Sequence, residues 1–379
     1  MSRANIKSDL IDWACNRSCA KLDVLEKRFP KLPQWLSGDL QPTMNQLESF
    51  SKATLTPLGY FFLSTPPVES LPVPDFRTVK GRAVARPSAA LLETIYSMQR
   101  RQDWLREYLE EEGEDSLTIV GSVTLETLPT VAARAIREAL GVLDGWADEH
   151  VTWESALIGL RRAAEASGIV VVINGVVGNN THAPLNVQEF RGFVLSDKLA
   201  PLIFINGADA KSAQMFTLAH EIAHVWLGRD GVFDLPDLEA SGDKVEMFCN
   251  QVAAEVLIPS VELQQKWALV SSRHQPFQAL ARMFKVSPIV AARRAFDLQL
   301  VTREVFFEFI KGYRAYELSR PKSSGGDFYR TQETRIGRRF GLAVTRAAKA
   351  GRLLYRDAYQ LTGLAGKTFD LYAEGLRMT

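Results

Sequence analysis

The sequence predicts an α+β protein that is mainly helical, in which a small core of strands and helices is flanked by helical N- and C-terminal domains. Apolar residues recur at helical spacing through most of the 379-residue chain. Short apolar runs of strand length cluster between about residues 169 and 205. A proline-rich stretch separates the N-terminal helices from the rest of the chain. The chain is long enough for two or three domains.

The N-terminal third is predicted to contain two segments. Residues 1–65 form short helices, and Pro42-Thr43 is typical of a helix start. Residues 66–150 combine a proline-rich connector with further helices. One of these helices is expected to begin after Ser88, because apolar residues then recur along one helical stripe.

The middle of the chain, residues 151–265, is predicted to be the mixed core. The predicted buried strands are 169–173, 193–195 and 202–205. Two helices, about 211–227 and 243–257, are expected to come after them. Residues 266–379 are predicted to form a helical C-terminal domain, which includes a helix pair around 279–294 that packs beside the core.

Composition narrows the class of protein. The net charge of +1 argues against a protein that is strongly basic overall, as many nucleic-acid-binding proteins are, and against a strongly acidic one. A hydrophobic content of 46% is ordinary for a globular chain. Three cysteines cannot form a disulfide framework, which favours a reducing compartment. No apolar stretch approaches the roughly 18 residues of a membrane span. A cytoplasmic protein without membrane partners is expected.

The residues His220-Glu221-Ile222-Ala223-His224 carry the clearest chemical signal. Two histidines four residues apart lie on one helical face, about 40° apart around the axis. They can therefore bind one Zn²⁺, with Glu221 as general base for the water that zinc activates. A buried histidine pair beside a solvated glutamate is the plainer alternative. The pattern favours a metal site with His220 and His224 as ligands and Glu221 as the catalytic residue.

A catalytic zinc site needs a third protein ligand. The next helix along the chain offers Glu246, which shares a helical face with Asn250. Glu246 could instead cap its own helix, because Asp243 and Glu246 have capping-box spacing. Asp243, Glu239 and Glu255 are rival ligands. From spacing alone Glu246 is one candidate among these.

The chain resembles the ImmA/IrrE family of zinc metallopeptidases at about residues 150–260. The segments that carry the resemblance, in order, are Glu189-Phe190-Arg191-Gly192-Phe193, Ala200-Pro201-Leu202-Ile203-Phe204-Ile205-Asn206, Phe216-Thr217-Leu218-Ala219-His220-Glu221 and residues 246–259. The resemblance implies a zincin-like peptidase core, which fits 151–265, and it puts the family's ligand glutamate on Glu246. It also implies a protein substrate, such as a transcriptional repressor or an antitoxin-like partner.

Residues 20–63 resemble an Xre/Cro-type helix-turn-helix, through Trp35-Leu36-Ser37-Gly38, Gln41-Pro42-Thr43 and Gly59-Tyr60-Phe61-Phe62-Leu63. The resemblance implies DNA contact through a recognition helix in the major groove. The corresponding segment, 29–35, contains two prolines and offers only Lys31 and Gln34 as polar readers. DNA binding and a protein-interaction or dimerisation role both remain open for residues 1–65.

These observations lead to a zinc-dependent endopeptidase that cleaves a regulatory protein. The alternative is a DNA- or toxin-binding regulator whose zinc is sensory or structural. An extended substrate is expected to add to a sheet edge near residues 193–195. His182 is a candidate for substrate contact, although a turn-capping surface histidine is the plainer interpretation. Residues 320–379 hold 12 Lys and Arg against 5 Asp and Glu. The more common explanation of such a balance is a solvated face or a protein-docking surface, and contact with nucleic acid is the alternative.

Overall fold

The computed structural model describes residues 3–18, 20–74, 87–233, 243–318 and 328–378. Within these ranges the chain is mainly helical, and its strands form a four-stranded sheet and a two-stranded hairpin. The predicted α+β, mainly helical class is therefore confirmed. None of the helices in these ranges combines the length and apolar character needed to cross a bilayer.

The element bounds agree closely with the sequence pattern. The helices are α1 (Ser8–Arg17), α2 (Leu22–Arg28), α3 (Leu32–Ser37), α4 (Met44–Thr54), α5 (Ala89–Glu111), α6 (Pro129–Leu140), α7 (Trp153–Ala166), α8 (Lys211–Leu227), α9 (Lys244–Leu257), α10 (Ser260–Val270), α11 (Pro276–Phe284), α12 (Pro288–Asp297), α13 (Arg303–Leu318), α14 (Phe328–Ile336), α15 (Arg338–Lys349), α16 (Tyr355–Thr362) and α17 (Lys367–Met378). The strands are β1 (Val170–Asn174), β2 (Val176–Val177), β3 (Asn180–Pro184), β4 (Gly192–Leu195), β5 (Leu202–Asn206) and β6 (Gly231–Phe233). The helix predicted after Ser88 is α5, and the three predicted strands are β1, β4 and β5.

The chain divides into two compact units. The first comprises Met1–Pro72, Val79–Ser97 and Val176–Leu185, and the second comprises Val73–Thr78, Met98–Gly175 and Asn186–Thr379. The domain boundaries expected from the sequence stay a prediction.

The first unit contains α1 to α4 around an aromatic core. Thr43 begins α4 with a capping box, in which its side chain accepts from the backbone N–H of Gln46 and the Gln46 side chain accepts from the Thr43 N–H. The predicted helix start is therefore confirmed. Phe29 and Trp35, the two ends of the segment compared with a recognition helix, are buried beside Phe50.

The second unit is built on the sheet of order β1-β5-β4-β6. β1 runs parallel to β5, while β4 is antiparallel to both β5 and β6. Because side chains alternate along a strand, each strand contributes to both faces of the sheet. Val194, Ile203 and Ile205 belong to the core cluster that contains Leu218 and Ile222 of α8. One face of the sheet therefore supports α8.

The sheet edge differs from the sequence-based expectation. Residues 193–195 were expected at an edge, but β4 lies between β5 and β6. The reason is that Gly228 ends α8 in the left-handed conformation (φ 64°) and the chain then returns along β4. Among the described residues the edge strand on this side is β6, and its Val232 N–H donates to the carbonyl oxygen of Pro74 at 3.1 Å. Residues 193–195 are therefore not an edge themselves, and substrate addition at the edge near them stays a prediction.

Helices α11 and α12 correspond to the pair predicted around 279–294. Leu280, Phe284 and Val290 lie in the same core cluster as α8. Packing of this pair beside the core is therefore confirmed.

Candidate metal centre

Helices α8 and α9 supply the side chains of the centre. α8 is buried along nearly its whole length because apolar residues occupy its whole circumference between Met215 and Leu227. Only a helix surrounded by protein can be apolar all round. The two histidines and Glu221 are therefore held in the interior of the second unit, and α9 packs directly against this helix.

Three donor atoms converge where these helices meet. The Nε2 atoms of His220 and His224 lie 3.0 Å apart. Glu246 places one carboxylate oxygen 3.2 Å from His220 Nε2 and the other 3.2 Å from His224 Nε2. In a tetrahedral zinc site with bonds of about 2.0–2.2 Å, ligand atoms are separated by about 3.3–3.5 Å. The observed separations of 3.0 and 3.2 Å are slightly shorter, so the triangle is close to the size that one such ion requires.

Asn250 controls the orientation of the first histidine. Its Oδ1 lies 3.0 Å from His220 Nδ1, so the imidazole donates from Nδ1 and keeps a lone pair on Nε2. That lone pair faces a carboxylate oxygen of Glu246. Two acceptors at this separation repel each other unless a cation or a proton lies between them. The donor set therefore fits a divalent cation on chemical as well as geometric grounds.

Burial keeps these groups in the protonation states that bind metal. It lowers the pKa of His220, which leaves a neutral imidazole at pH 7. Burial alone would raise the pKa of Glu246, but the adjacent His220 and His224 outweigh it and lower that pKa. Neutral imidazole and ionised carboxylate are the ligand forms.

Glu221 is fully buried and contacts no polar partner. Neither of its carboxylate oxygens has a hydrogen bond within the described ranges. Burial raises its pKa well above 4.5, and the Glu246 carboxylate adds to the rise. A buried carboxyl group without partners is costly to keep, so such groups are concentrated at functional sites.

Gly192, the first residue of β4, leaves the space that Glu221 occupies. A Cβ at this position would lie 2.8 Å from Glu221 Oε1, 2.8 Å from Thr217 Cγ2 and 3.0 Å from the carbonyl oxygen of Phe204. These distances are shorter than van der Waals contact. The absence of a side chain at residue 192 therefore allows the β4 backbone to approach this carboxylate.

The rival ligands lie elsewhere or have other partners. Asp243 caps α9, accepting from the backbone N–H groups of Val245 and Glu246. Glu255 accepts from Ser260 and pairs with Arg294. Glu239 lies outside the described residues. The Glu246 carboxylate faces the histidines instead of capping its own helix.

His182 belongs to the β2–β3 hairpin of the first unit and is exposed. Its backbone N–H donates to the side chain of Asn180 at 3.0 Å. The side chain that caps this turn is therefore that of Asn180, and the structure bears out only the surface position of His182.

A cavity of about 530 Å³ adjoins the centre on the α9 side. Asn250 forms part of its wall, together with Phe216 of α8 and Met247, whose side chain is 40% exposed. Two of its charged wall residues, Arg294 and Glu255, pair with each other. The cavity therefore offers a largely apolar surface beside the metal-binding group.

Sequence reasoning assigned no role to Asn250 or Gly192. A signal for Asn250 existed, because it lies four residues after Glu246 on the same helical face. Gly192 gave a weaker signal, namely a glycine at the start of a buried strand. Its closeness to Glu221 depends on how β4 and α8 pack, which no local pattern encodes.

Residues 164–296 match the family model described as the IrrE N-terminal-like domain, Peptidase M78. The match includes β1, β4 to β6 and the four residues His220, Glu221, His224 and Glu246. Residues 336–375 match a domain of unknown function. No curated protein matches the chain. Within the second unit, residues 164–296 are therefore similar to the IrrE N-terminal-like peptidase domain.

Proposed function

We propose that this protein is a zinc-dependent endopeptidase of the HExxH type that cleaves a regulatory protein, such as a transcriptional repressor or an antitoxin-like partner. The observation that carries the proposal is the meeting of the His220, His224 and Glu246 donor atoms beside the Glu221 carboxylate, which has no hydrogen bond to any described residue. The matched peptidase family supports the same reaction class. His220, His224 and Glu246 would hold the ion.

The residues of the chain divide the chemistry between them. Zinc, when bound, supplies a Lewis acid that polarises a carbonyl and lowers the pKa of water towards ~7. Glu221 accepts a proton from the attacking water and passes it to the leaving amine. Burial raises the pKa of Glu221, which makes its carboxylate a stronger base for the proton of the attacking water. The apolar cavity beside Asn250 is a place for a substrate side chain.

The proposal is tested with the purified full chain and the proteins encoded by neighbouring genes. We expect one of these proteins to be cut at a single position, which intact mass measurement of the products would show. A chelator should stop the cut and added zinc should restore it. A partner that forms a stable complex but stays intact over many hours would favour a binding role instead.

The N-terminal unit supports a second candidate role, in which the protein contacts DNA or a toxin and its zinc is sensory or structural. Lys27, Arg28 and Lys31 are exposed around α2 and the start of α3, and Gln34 is exposed on α3. Cations at such positions bind DNA phosphates. Binding of this kind should weaken steeply with salt, and the Lys27→Ala/Lys31→Ala variant should flatten that dependence.

The Asn250→Ala variant is expected to bind zinc about 10- to 100-fold more weakly, because the His220 ring loses the acceptor that fixes its tautomer. Competition with a chromophoric chelator would measure the affinity. Gln251→Ala is the matched control, since Gln251 is exposed on the next position of the same helix. Equal affinities for the two variants would contradict this role of Asn250.

The Gly192→Ala variant is expected to lower the rate of cleavage by about tenfold or more while zinc content stays unchanged. The added methyl group would displace the Glu221 carboxylate, and a small misplacement of a reacting group is costly. Gly312→Ala in α13 is the control, because a Cβ there meets no atom within 4 Å. Loss of zinc together with activity would instead indicate general overpacking of the core.

A further inference from the structure

A second cavity, of about 500 Å³, lies within the second unit between α5, α7 and α15. It shares no wall residue with the cavity beside Asn250 and contains none of the four residues of the metal centre. A volume of this size suits a small molecule. Its α15 wall falls within the segment that matches the domain of unknown function.

Arginines dominate the polar part of the wall. Arg162, Arg339 and Arg346 line the cavity, and none of their guanidinium groups has a hydrogen bond or ion pair in the described part of the chain. The Arg339 Nε is buried and has no partner there. Burial lowers the pKa of Arg339, as desolvation of a guanidinium should. A guanidinium remains charged in proteins, so this donor needs an acceptor that the described residues do not supply.

The acidic residues of the wall do not cancel this charge. Glu112 pairs with Arg352, which lies outside the cavity wall. Glu165 accepts from the backbone N–H groups of Arg338 and Arg339 at the start of α15, and its pKa is raised by burial. Glu114 is exposed and is the remaining acid near Arg339. The fourth arginine, Arg338, donates to the carbonyl oxygen of Leu376.

The rest of the wall is apolar and aromatic. Leu105, Leu109 and Leu342 contribute aliphatic surface. Tyr108 lies in the wall and stacks on Trp104, with ring centroids 5.4 Å apart. A ligand can thus place a charged group against the arginines and a hydrophobic or planar body against this surface.

We propose that the cavity between α5, α7 and α15 binds a small phosphorylated molecule, about the size of a nucleotide, whose phosphoryl group contacts Arg162, Arg339 and Arg346. A phosphate monoester carries about −1.5 to −2 charges at pH 7 and three acceptor oxygens. It can therefore accept from several guanidinium groups at once, which a single carboxylate does less well. The ligand is distinct from the protein substrate of the peptidase centre.

Calorimetric titration of the full chain with inorganic phosphate and with AMP tests the proposal. We expect both to bind, AMP more tightly because its base can use the apolar wall, and acetate to bind at least tenfold more weakly than phosphate. Arg339→Ala should weaken AMP binding by tenfold or more. The Arg162→Ala/Arg346→Ala variant should do the same, and because both side chains are exposed it should fold even if Arg339→Ala does not.

Arg356→Ala is the matched control, since the Arg356 side chain is 78% exposed and lies outside the cavity wall. It should bind AMP as the wild type does. Absence of heat with both phosphate and AMP, or equal affinities in all variants, would overturn the proposal. Binding of a short oligonucleotide but not of AMP, lost in the same arginine variants, would also overturn it in favour of a nucleic-acid surface.

Discussion

The Glu221→Gln variant is expected to bind zinc as the wild type does and to cleave its partner about 10²- to 10⁴-fold more slowly. The side chain keeps its shape but can no longer accept a proton from water. Because the Glu221 carboxylate has no hydrogen bond within the described ranges, the substitution breaks none there. Elemental analysis would measure the zinc content, and mass spectrometry would measure product formation. Together they would show that the variant keeps zinc but no longer cleaves its partner. Regulation that survives the substitution unaltered would refute proteolysis as the function.

The same variant should reveal the cost of burying this carboxyl group. The folded-state pKa of Glu221 is raised, so the unfolded chain releases the proton more readily than the folded one. The metal-free wild type therefore loses stability as pH rises from about 4.5 through the folded-state pKa. Glutamine has no proton to release. We expect the metal-free variant to melt near the wild-type Tm at pH 5 and above it at pH 8. Parallel Tm profiles for the two proteins would contradict a raised pKa.

The sequence predicts the metal-binding helix well because its information is local. Helical periodicity alone places His220 and His224 on one face, and it also gives the bounds of α8 and α9 to within about one residue. The third ligand depends on how α9 crosses α8. Spacing within α9 could not decide whether Glu246 faces the metal or caps its own helix. In the structure the Glu246 carboxylate lies beside both histidines.

Features that depend on distant parts of the chain were less predictable. β6 has three residues, one of them glycine, and its conformation is set by pairing with β4. The sheet edge was therefore misplaced. The arginine-lined cavity joins residues of α5, α7 and α15 that are separated by more than 200 positions. The basic balance of residues 320–379 was visible in the sequence, but only the packing of α15 shows that three of its arginines share a wall with Arg162.

Substitution of a metal-facing residue has the second large expected effect. His220→Ala, His224→Ala and Glu246→Ala should each weaken zinc binding by roughly 10²- to 10³-fold, if the 10–16 kcal/mol typical of a four-ligand protein zinc site is shared about equally among its ligands. Competition with a chelator of known affinity would measure the loss. Glu255→Gln should leave the affinity unchanged, because Glu255 pairs with Arg294 and accepts from Ser260.

The three variants should also differ in the stability of the metal-free protein. Burial is the main cause of the raised pKa of Glu221 and the Glu246 carboxylate adds to it, so Glu246→Ala relieves a repulsion between two buried acids. His220→Ala instead takes away the imidazole that faces Glu246 and leaves that carboxylate less compensated. Without metal, Glu246→Ala should therefore melt at a higher temperature than His220→Ala, although both lose zinc. The reverse order would mean that Glu246 and Glu221 do not interact, and the arrangement of the centre would have to be abandoned.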